Sequence, residues 1–593
     1  MQPHRSAFRL EDTFAVLLNG LINLQHKPVP IGSTYTPTDG RQGVNAASHR
    51  GPLRFLLTGI VRMSEVRFSF SLPSCIFMAN TDHTDPYHPP SEPSTNETSS
   101  GDDQSTPDAA PDGLDRRSFL RRTALSSAAL GMGLWAGGDG AAHAEPVRPR
   151  ADVEGEARNI IFLVSDGMSQ GTLTMADHFL QRHHNRTSHW VDLYRDRADE
   201  ITDAYMDVAS LNSLVTGSAS SASAWGCGHR INNNMVNMSP DEDPYRTICE
   251  IFRDAGKATG LVTTTRITHA TPAGFGINMP HRSMEDAIAA QYLERGYDLL
   301  MGGGERHFHA DHRDDGADLY GAFTDAGYRV IRERNNLDQA LNAEKTLGIF
   351  FDNHLPYEVD RLHIDRLKRT VPSLAEMTDA ALQRLAQHEE GFILQVEGGR
   401  VDHAAHSNDT AGLIHDQIAF DDAIGTVLDW VDGRDDTLVV ITTDHGNANP
   451  GLNGIGDGYG LSNDMFDRIA DFSRSNWWIL NELDEDSPTD AIKERVEQAT
   501  QIEMRTEEAE VLQQSLRGDF QAVYRARSRP SAVISAIQAN YTAVNWIGSM
   551  HTSDYVPLVA MGPGSDTLGS FVRNTELFDL MVDTAGVREY AAA

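Results

Sequence analysis

The chain has 593 residues, with 85 aspartates and glutamates against 50 lysines and arginines and a formal net charge of −35. So acidic a surface offers no basic face to duplex nucleic acid, which argues against that class of partner. Three cysteines cannot build a disulfide framework; Cys227 and Cys249 could pair, but as small buried hydrophobes they read better as free thiols.

In chain order, residues 1–77 are weakly basic, whereas residues 78–114 hold no lysine or arginine and are rich in serine, proline, threonine and acids. The shift falls at Met78, which reads as the true start of translation, and residues 1–114 are expected to form a disordered leader. Residues 116–144 read "RRSFLRRTALSSAALGMGLWAGGDGAAHA". Twin arginines, a short apolar stretch and Ala-His-Ala make the segment 115–144 resemble a twin-arginine export signal with its cleavage site. The apolar stretch is too short for a permanent membrane span. The mature chain, 145–593, is therefore expected to be periplasmic or extracellular. Its scarcity of lysine suits solubility in high salt and follows equally from arginine-rich codon usage.

From Glu145 onward, apolar runs alternate with amphipathic helical patterns: "NIIFLVSD" at 159–166, "ATGLVTTT" at 258–265, "DLLMGGG" at 298–304, "GFILQVEG" at 391–398 and "TLVVITTDHG" at 437–446. This rhythm predicts an α/β fold, a doubly wound and mostly parallel sheet with helices on both faces. Residues 451–545 break the rhythm with a Gly/Asn-rich opening and a charged helical stretch, and are expected to form a mostly helical insertion near the active-site edge.

Three of the apolar runs end on acids: Asp166, Glu397 (with Asp402 and His406 just beyond), and Asp444 followed by His445. In a parallel sheet those ends gather along one edge, where such folds bind ligands. Unpaired carboxylates crowded there would repel one another severely, and cations are the remedy. Mixed carboxylate and imidazole ligands suit zinc, and oxygen ligands suit magnesium. The stretch "LVTGSASSASAWGCG" at 214–228 offers Ser218, Ser220, Ser221 and Ser223 ahead of a helix whose N-terminus could receive phosphate oxygens. Spacing does not choose among the four, and a small-residue helix packed closely on the sheet fits the stretch as well.

"SDGM", "VTGSASSASAW", "THATPAGF" with Arg282 beyond, "VEGGRVDHAAH", "TTDHGN" and "MHTSDYVP" occur in the order found in alkaline phosphatases, and together they resemble that family over roughly residues 158–565. The resemblance implies hydrolysis of phosphate monoesters through a phosphoserine, with two zinc ions and one magnesium. It implies that Asp402, His406 and His551 hold one zinc, and Asp166, Asp444 and His445 the second. Asp166 then bridges to a magnesium shared with Thr271 and Glu397. Ser218 aligns with the nucleophile and Arg282 with the clamp on phosphate. His269 and His403 stand where bacterial members often have Asp and Lys, so His269 could draw zinc rather than magnesium to the third site. Gly217 stands where some members have an Asp that holds the arginine, so Arg282 is expected to be less constrained. Many members are homodimers. A phosphodiesterase on the same metal scaffold and a non-catalytic metal- or phosphate-binding protein are the competing readings; the sulfatase nucleophile block is absent near Ser218.

Overall fold

The structure, a computed structural model, describes residues 155–591. The leader and export signal expected over 1–144 lie outside the described residues. The strand predicted at 159–166 is β1, Asn159–Val164, whose residues are all buried. Further strands follow at Ile201–Asp207 (β2), Ala258–Arg266 (β3), Leu299–Gly303 (β4), Tyr328–Ile331 (β5), Lys345–Ile349 (β6), Phe392–Glu397 (β7) and Thr437–Thr442 (β8). Short strands Gly446–Asn447 (β9), Pro450–Leu452 (β10), Val544–Trp546 (β11) and His551–Thr552 (β12) precede Val556–Met561 (β13) and Phe571–Arg573 (β14).

Ten of these form one sheet in the order β14-β2-β13-β8-β1-β7-β3-β4-β6-β5. Every pairing in it is parallel except those of β13, which runs against both β8 and β2. The expected mostly parallel α/β sheet is thus the architecture observed. Alternate side chains of β1 enter different cores: Ile161 and Leu163 join one, Ile160, Phe162 and Val164 the other. Helices cover both faces, which is why the central strands read as unbroken apolar runs.

The register positions the chemistry. Val164 is paired with Glu397 on one side and with Thr442 on the other, and Glu397 with Thr263 of β3. The residues that follow β1 and β8, together with the last residue of β7, therefore sit side by side at one sheet edge.

Between β10 and β11, which pair as an antiparallel ribbon, the chain forms helices Leu461–Asp467, Asn476–Asn481, Thr489–Thr500, Thr506–Leu516 and Pro530–Thr542. They enclose an apolar cluster of their own, including Ile479, Val496, Leu512 and Ile534. Cys227 and Cys249 are both buried and unpaired, and burial pushes both thiols up. No helix among the described residues is long and apolar enough to cross a membrane.

Candidate metal centre

β1 ends on an acid because its neighbours' ends need one there. Asp166 is fully buried, yet neither carboxylate oxygen has a hydrogen-bond partner. Gly167 follows at φ +70°, and a Cβ there would collide with Asp402. Its N–H donates to Asp444 Oδ1 at 2.8 Å, tying the ends of β1 and β8 together. His445 Nε2 lies 3.0 Å from Asp444 Oδ2 and 3.8 Å from Asp166 Oδ1.

Glu397, the last residue of β7, accepts from Thr263 Oγ1 at 2.5 Å through Oε2, and its Oε1 is buried without a partner. One turn beyond the strand, helix Arg400–His406 carries Asp402 and His406 on one face. Asp402 Oδ2 is 3.4 Å from His406 Nε2, and Asp402 Oδ1 is 3.6 Å from His551 Nε2. Asn447 Nδ2 donates to Asp402 Oδ1 at 2.7 Å and fixes the carboxylate.

Backbone carbonyls orient the imidazoles. His406 Nδ1–H donates to Ser549 O at 2.9 Å, and His551 Nδ1–H donates to Thr216 O at 2.8 Å. Each ring must then turn its Nε2 lone pair inward, the arrangement of a metal-ligating histidine. The two Nε2 atoms stand 2.9 Å apart. The segment after helix Arg400–His406 is tied down twice: Asp409 Oδ2 accepts from Asn476 N of the helical insertion at 2.6 Å, and Asn408 Nδ2 donates to Gly548 O, just past β11, at 2.7 Å.

Ligand atoms converge in three groups, each with its atoms within 4.8 Å of one another: Asp402 with His445 and His551, Asp166 with Asp444 and His445, and Asp166 with His269 and Glu397. His445 belongs to two of them, and His406 adjoins the first through Asp402 and His551. Burial, then repulsion from Asp444, Asp402 and Glu397, pushes Asp166 well above the usual carboxylate range. Burial foremost raises Glu397 to about 7. Burial works against ionisation of Asp402 too, but His406, His551 and His445 outweigh it and hold that carboxyl low. Buried oxygens with neither partner nor counter-charge are what multivalent cations satisfy, so the donor set fits metals.

The third group contains a conflict. Arg282 Nη2 donates to His269 Nε2 at 2.8 Å. A neutral imidazole that accepts through Nε2 carries its proton on Nδ1, so neither nitrogen of His269 is then free for a cation. Burial, then the Arg282 charge, holds His269 well below the usual imidazole range and keeps it neutral. Arg282 is consequently not left unconstrained by Gly217: its guanidinium has a partner, and its backbone N–H donates to Asn234 O at 2.8 Å. Thr271 Oγ1 is buried without a partner beside Glu397.

The structure separates the four serines. Ser220 bonds Gly217 O and Asn233, Ser221 bonds Asp444 O, and Ser223 bonds Ala219 O. The Ser218 hydroxyl makes no hydrogen bond to the described residues, and Ser218 is the first residue of helix Ser218–Cys227. That helix also packs as its small residues suggest, since a Cβ on Gly274 of helix Ala270–Gly276 would strike Ala222.

His354 and Arg400 carried no signal in the sequence. The His354 ring lies 4.3 Å from that of His403 and 5.4 Å from that of His269. It sits in a loop after β6, and nothing in its local pattern ties it to His403, 49 residues on, or to His269, 85 residues back.

A doubly wound sheet whose strand ends gather carboxylates, imidazoles and a free serine is the framework of a metal-dependent hydrolase. A family model described as alkaline phosphatase matches residues 157–587, and the chain belongs to the alkaline phosphatase family. It is 37% identical over 320 residues to the repressible alkaline phosphatase of Saccharomyces cerevisiae, covering 49% of this chain and 54% of that one. It thus spans about half the length of that curated relative. It is 29% identical over 436 residues to alkaline phosphatase 3 of Bacillus subtilis, covering 71% of this chain and 87% of that one. The crystal structure of Thermus thermophilus alkaline phosphatase superposes with a TM-score of 0.69 at 32% identity, covering 75% of this chain and 98% of that one.

Proposed function

We propose that this protein hydrolyses phosphate monoesters through a phosphoserine at Ser218. The observation that carries the reading is the free Ser218 hydroxyl at a helix N-terminus whose flanking residues touch the ligands, Thr216 O accepting from His551 and Ser221 donating to Asp444 O, among three groups of buried ligand atoms. Asp402, His406 and His551 would hold one zinc, Asp166, Asp444 and His445 a second, with His445 within reach of both groups. Asp166, Glu397 and Thr271 would hold a third ion. Because His269 spends Nε2 on Arg282, the third donor set is oxygen alone, which favours magnesium over zinc. When bound, the ions supply Lewis acidity and charge neutralisation around the reacting phosphate.

Ser218 Oγ attacks phosphorus in line with the departing alcohol oxygen; the Oγ–P bond forms as the P–O bond to the alcohol breaks. The serine proton passes to solvent, and the alcohol leaves protonated. Water then attacks phosphorus from the opposite side to Oγ, releasing inorganic phosphate and restoring the hydroxyl. Two inversions leave net retention. Arg282 donates to non-bridging oxygens, and His269 holds the guanidinium in place.

The test is hydrolysis of phenyl phosphate before chelation, after it, and after restoring zinc and magnesium. Activity at alkaline pH that follows the metals supports the reading. Cleavage of an aryl diester alone would favour a phosphodiesterase, and no turnover of either a binding protein. Export rests on the twin-arginine-like segment and Ala-His-Ala before Glu145, and is tested by the N-terminal sequence of the exported protein. A homodimer rests on family membership and is tested by light scattering.

A further inference from the structure

Beside His403 a pocket of about 250 Å³ is lined by Asn353, His354, Tyr357, Arg400, His403 and Trp477. Arg400 opens the helix that carries Asp402 and His406. Its guanidinium carbon stands 3.7 Å from the centroid of the Tyr357 ring, and Nη1 is hydrogen bonded to His403 Nδ1 at 2.9 Å. Nε is buried without an acceptor, and Nη2 makes no hydrogen bond to the described residues.

Among the described residues no carboxylate oxygen comes within 4.0 Å of this guanidinium. Asp416 feels its charge, but Asp416 Oδ2 accepts from Glu358 N instead. Arg266, Arg313 and Arg361, by contrast, pair with Glu285, Asp315 and Glu358. In a chain with 85 acids and 50 basic residues, a partly buried cation left unpaired at a cavity calls for an anion from outside. The stacking on Tyr357 and the bond to His403 hold the guanidinium in one orientation, with Nη2 left to donate.

We propose that this pocket receives a second anionic group, a carboxylate or a further phosphate, carried on the alcohol part of the phosphate monoester. This rests on the phosphatase reading above. His403 lines this pocket and faces the phosphate side as well. Its ring lies 5.4 Å from that of His269, which takes the hydrogen bond of Arg282. The reacting phosphate at Arg282 and the second anion at Arg400 thus flank a pair of imidazoles. A net charge of −35 repels polyanionic esters at long range, so their recognition must come from a local cation of this kind.

The experiment compares 4-carboxyphenyl phosphate with 4-carbamoylphenyl phosphate, its uncharged isostere, on the metal-loaded protein. The wild type is expected to show about tenfold lower KM for the carboxylated ester at similar kcat. Arg400→Gln is expected to abolish that preference and Arg400→Lys to keep part of it. Trp477→Asp, which sets a like charge in the pocket wall, should abolish it independently of whether Arg400→Gln folds. Turnover of both esters by the wild type with no preference overturns this inference alone, as does a preference that survives both Arg400→Gln and Trp477→Asp. Turnover of neither overturns the phosphatase reading and this one with it.

Discussion

Arg282 Nη2 donates to His269 Nε2 at 2.8 Å, so the arginine placed to bind phosphate is held by a neutral imidazole rather than by a carboxylate. A carboxylate would compete with phosphate for the guanidinium and also fix it strongly, whereas an imidazole orients it while leaving its charge unopposed. His269→Ala is expected to raise the inhibition constant of inorganic phosphate about tenfold, with KM for phenyl phosphate rising in step. Gly217→Asp provides a cross-check. Gly217 N donates to Asn233 Oδ1 at 3.0 Å and Arg282 N to Asn234 O at 2.8 Å, so both positions hang from adjacent residues. A Cβ at 217 meets no atom closer than 3.9 Å. With His269 gone, Asp at 217 should supply the missing tether and restore part of the inhibition by phosphate that His269→Ala loses. Competitive inhibition assays on the single and double variants decide it.

Ser218→Ala should lower kcat by at least about a thousandfold, because the alternative serines are engaged elsewhere. Ser220→Ala and Ser223→Ala should retain activity within about tenfold. Intact mass after acid quench should show one added phosphoryl group in the wild type and in Ser223→Ala, and none in Ser218→Ala.

Chelation should lower the melting temperature, since Asp166, Glu397 and Asp444 then face one another without counter-charge. Asp166→Asn removes one of those buried acids and the cost of ionising it. The chelated variant should melt a few degrees above the chelated wild type, and zinc plus magnesium should raise its melting temperature by less. Thermal melts with and without metals test both signs. A chelated variant that melts below the chelated wild type would show that repulsion does not dominate there.

His415 lies in the second turn of helix Thr410–Val431, its Nδ1–H donating to Ala411 O at 2.9 Å and its ring 5.5 Å from Phe179. Burial, against the raising effect of that hydrogen bond, lowers it to about 4. The unfolded chain takes up this proton near pH 6.5 and the folded one only near 4. The stability that depends on a neutral ring is therefore complete above about pH 6.5 and is lost as pH falls towards 4. His415→Gln should flatten the pH dependence of denaturant-induced unfolding in that window and leave it unchanged at pH 8.

Much of this molecule is local in origin. β1 is an unbroken apolar run because both its faces are covered, and the acid that follows it is visible as an interruption of that run. The same holds for the ends of β7 and β8, so sheet, edge and acidic clusters follow from short stretches of chain and one packing rule. The roles of His551, Thr271 and Arg282 were legible only through resemblance to the family, because no local pattern distinguishes them.

What only the tertiary structure decided is which side chains face each other. Ser218 stands apart from Ser220, Ser221 and Ser223 because Asn233, Asp444 and Ala219 take the other hydroxyls. Arg282 is held despite Gly217 because helix Ala270–Gly276 presents its N-cap, His269, to it. His354 and Trp477 reach Arg400 from a loop after β6 and from the helical insertion. Burial periodicity is written into consecutive residues, whereas a hydrogen-bond partner depends on where distant segments pack, and that is set by the whole fold at once.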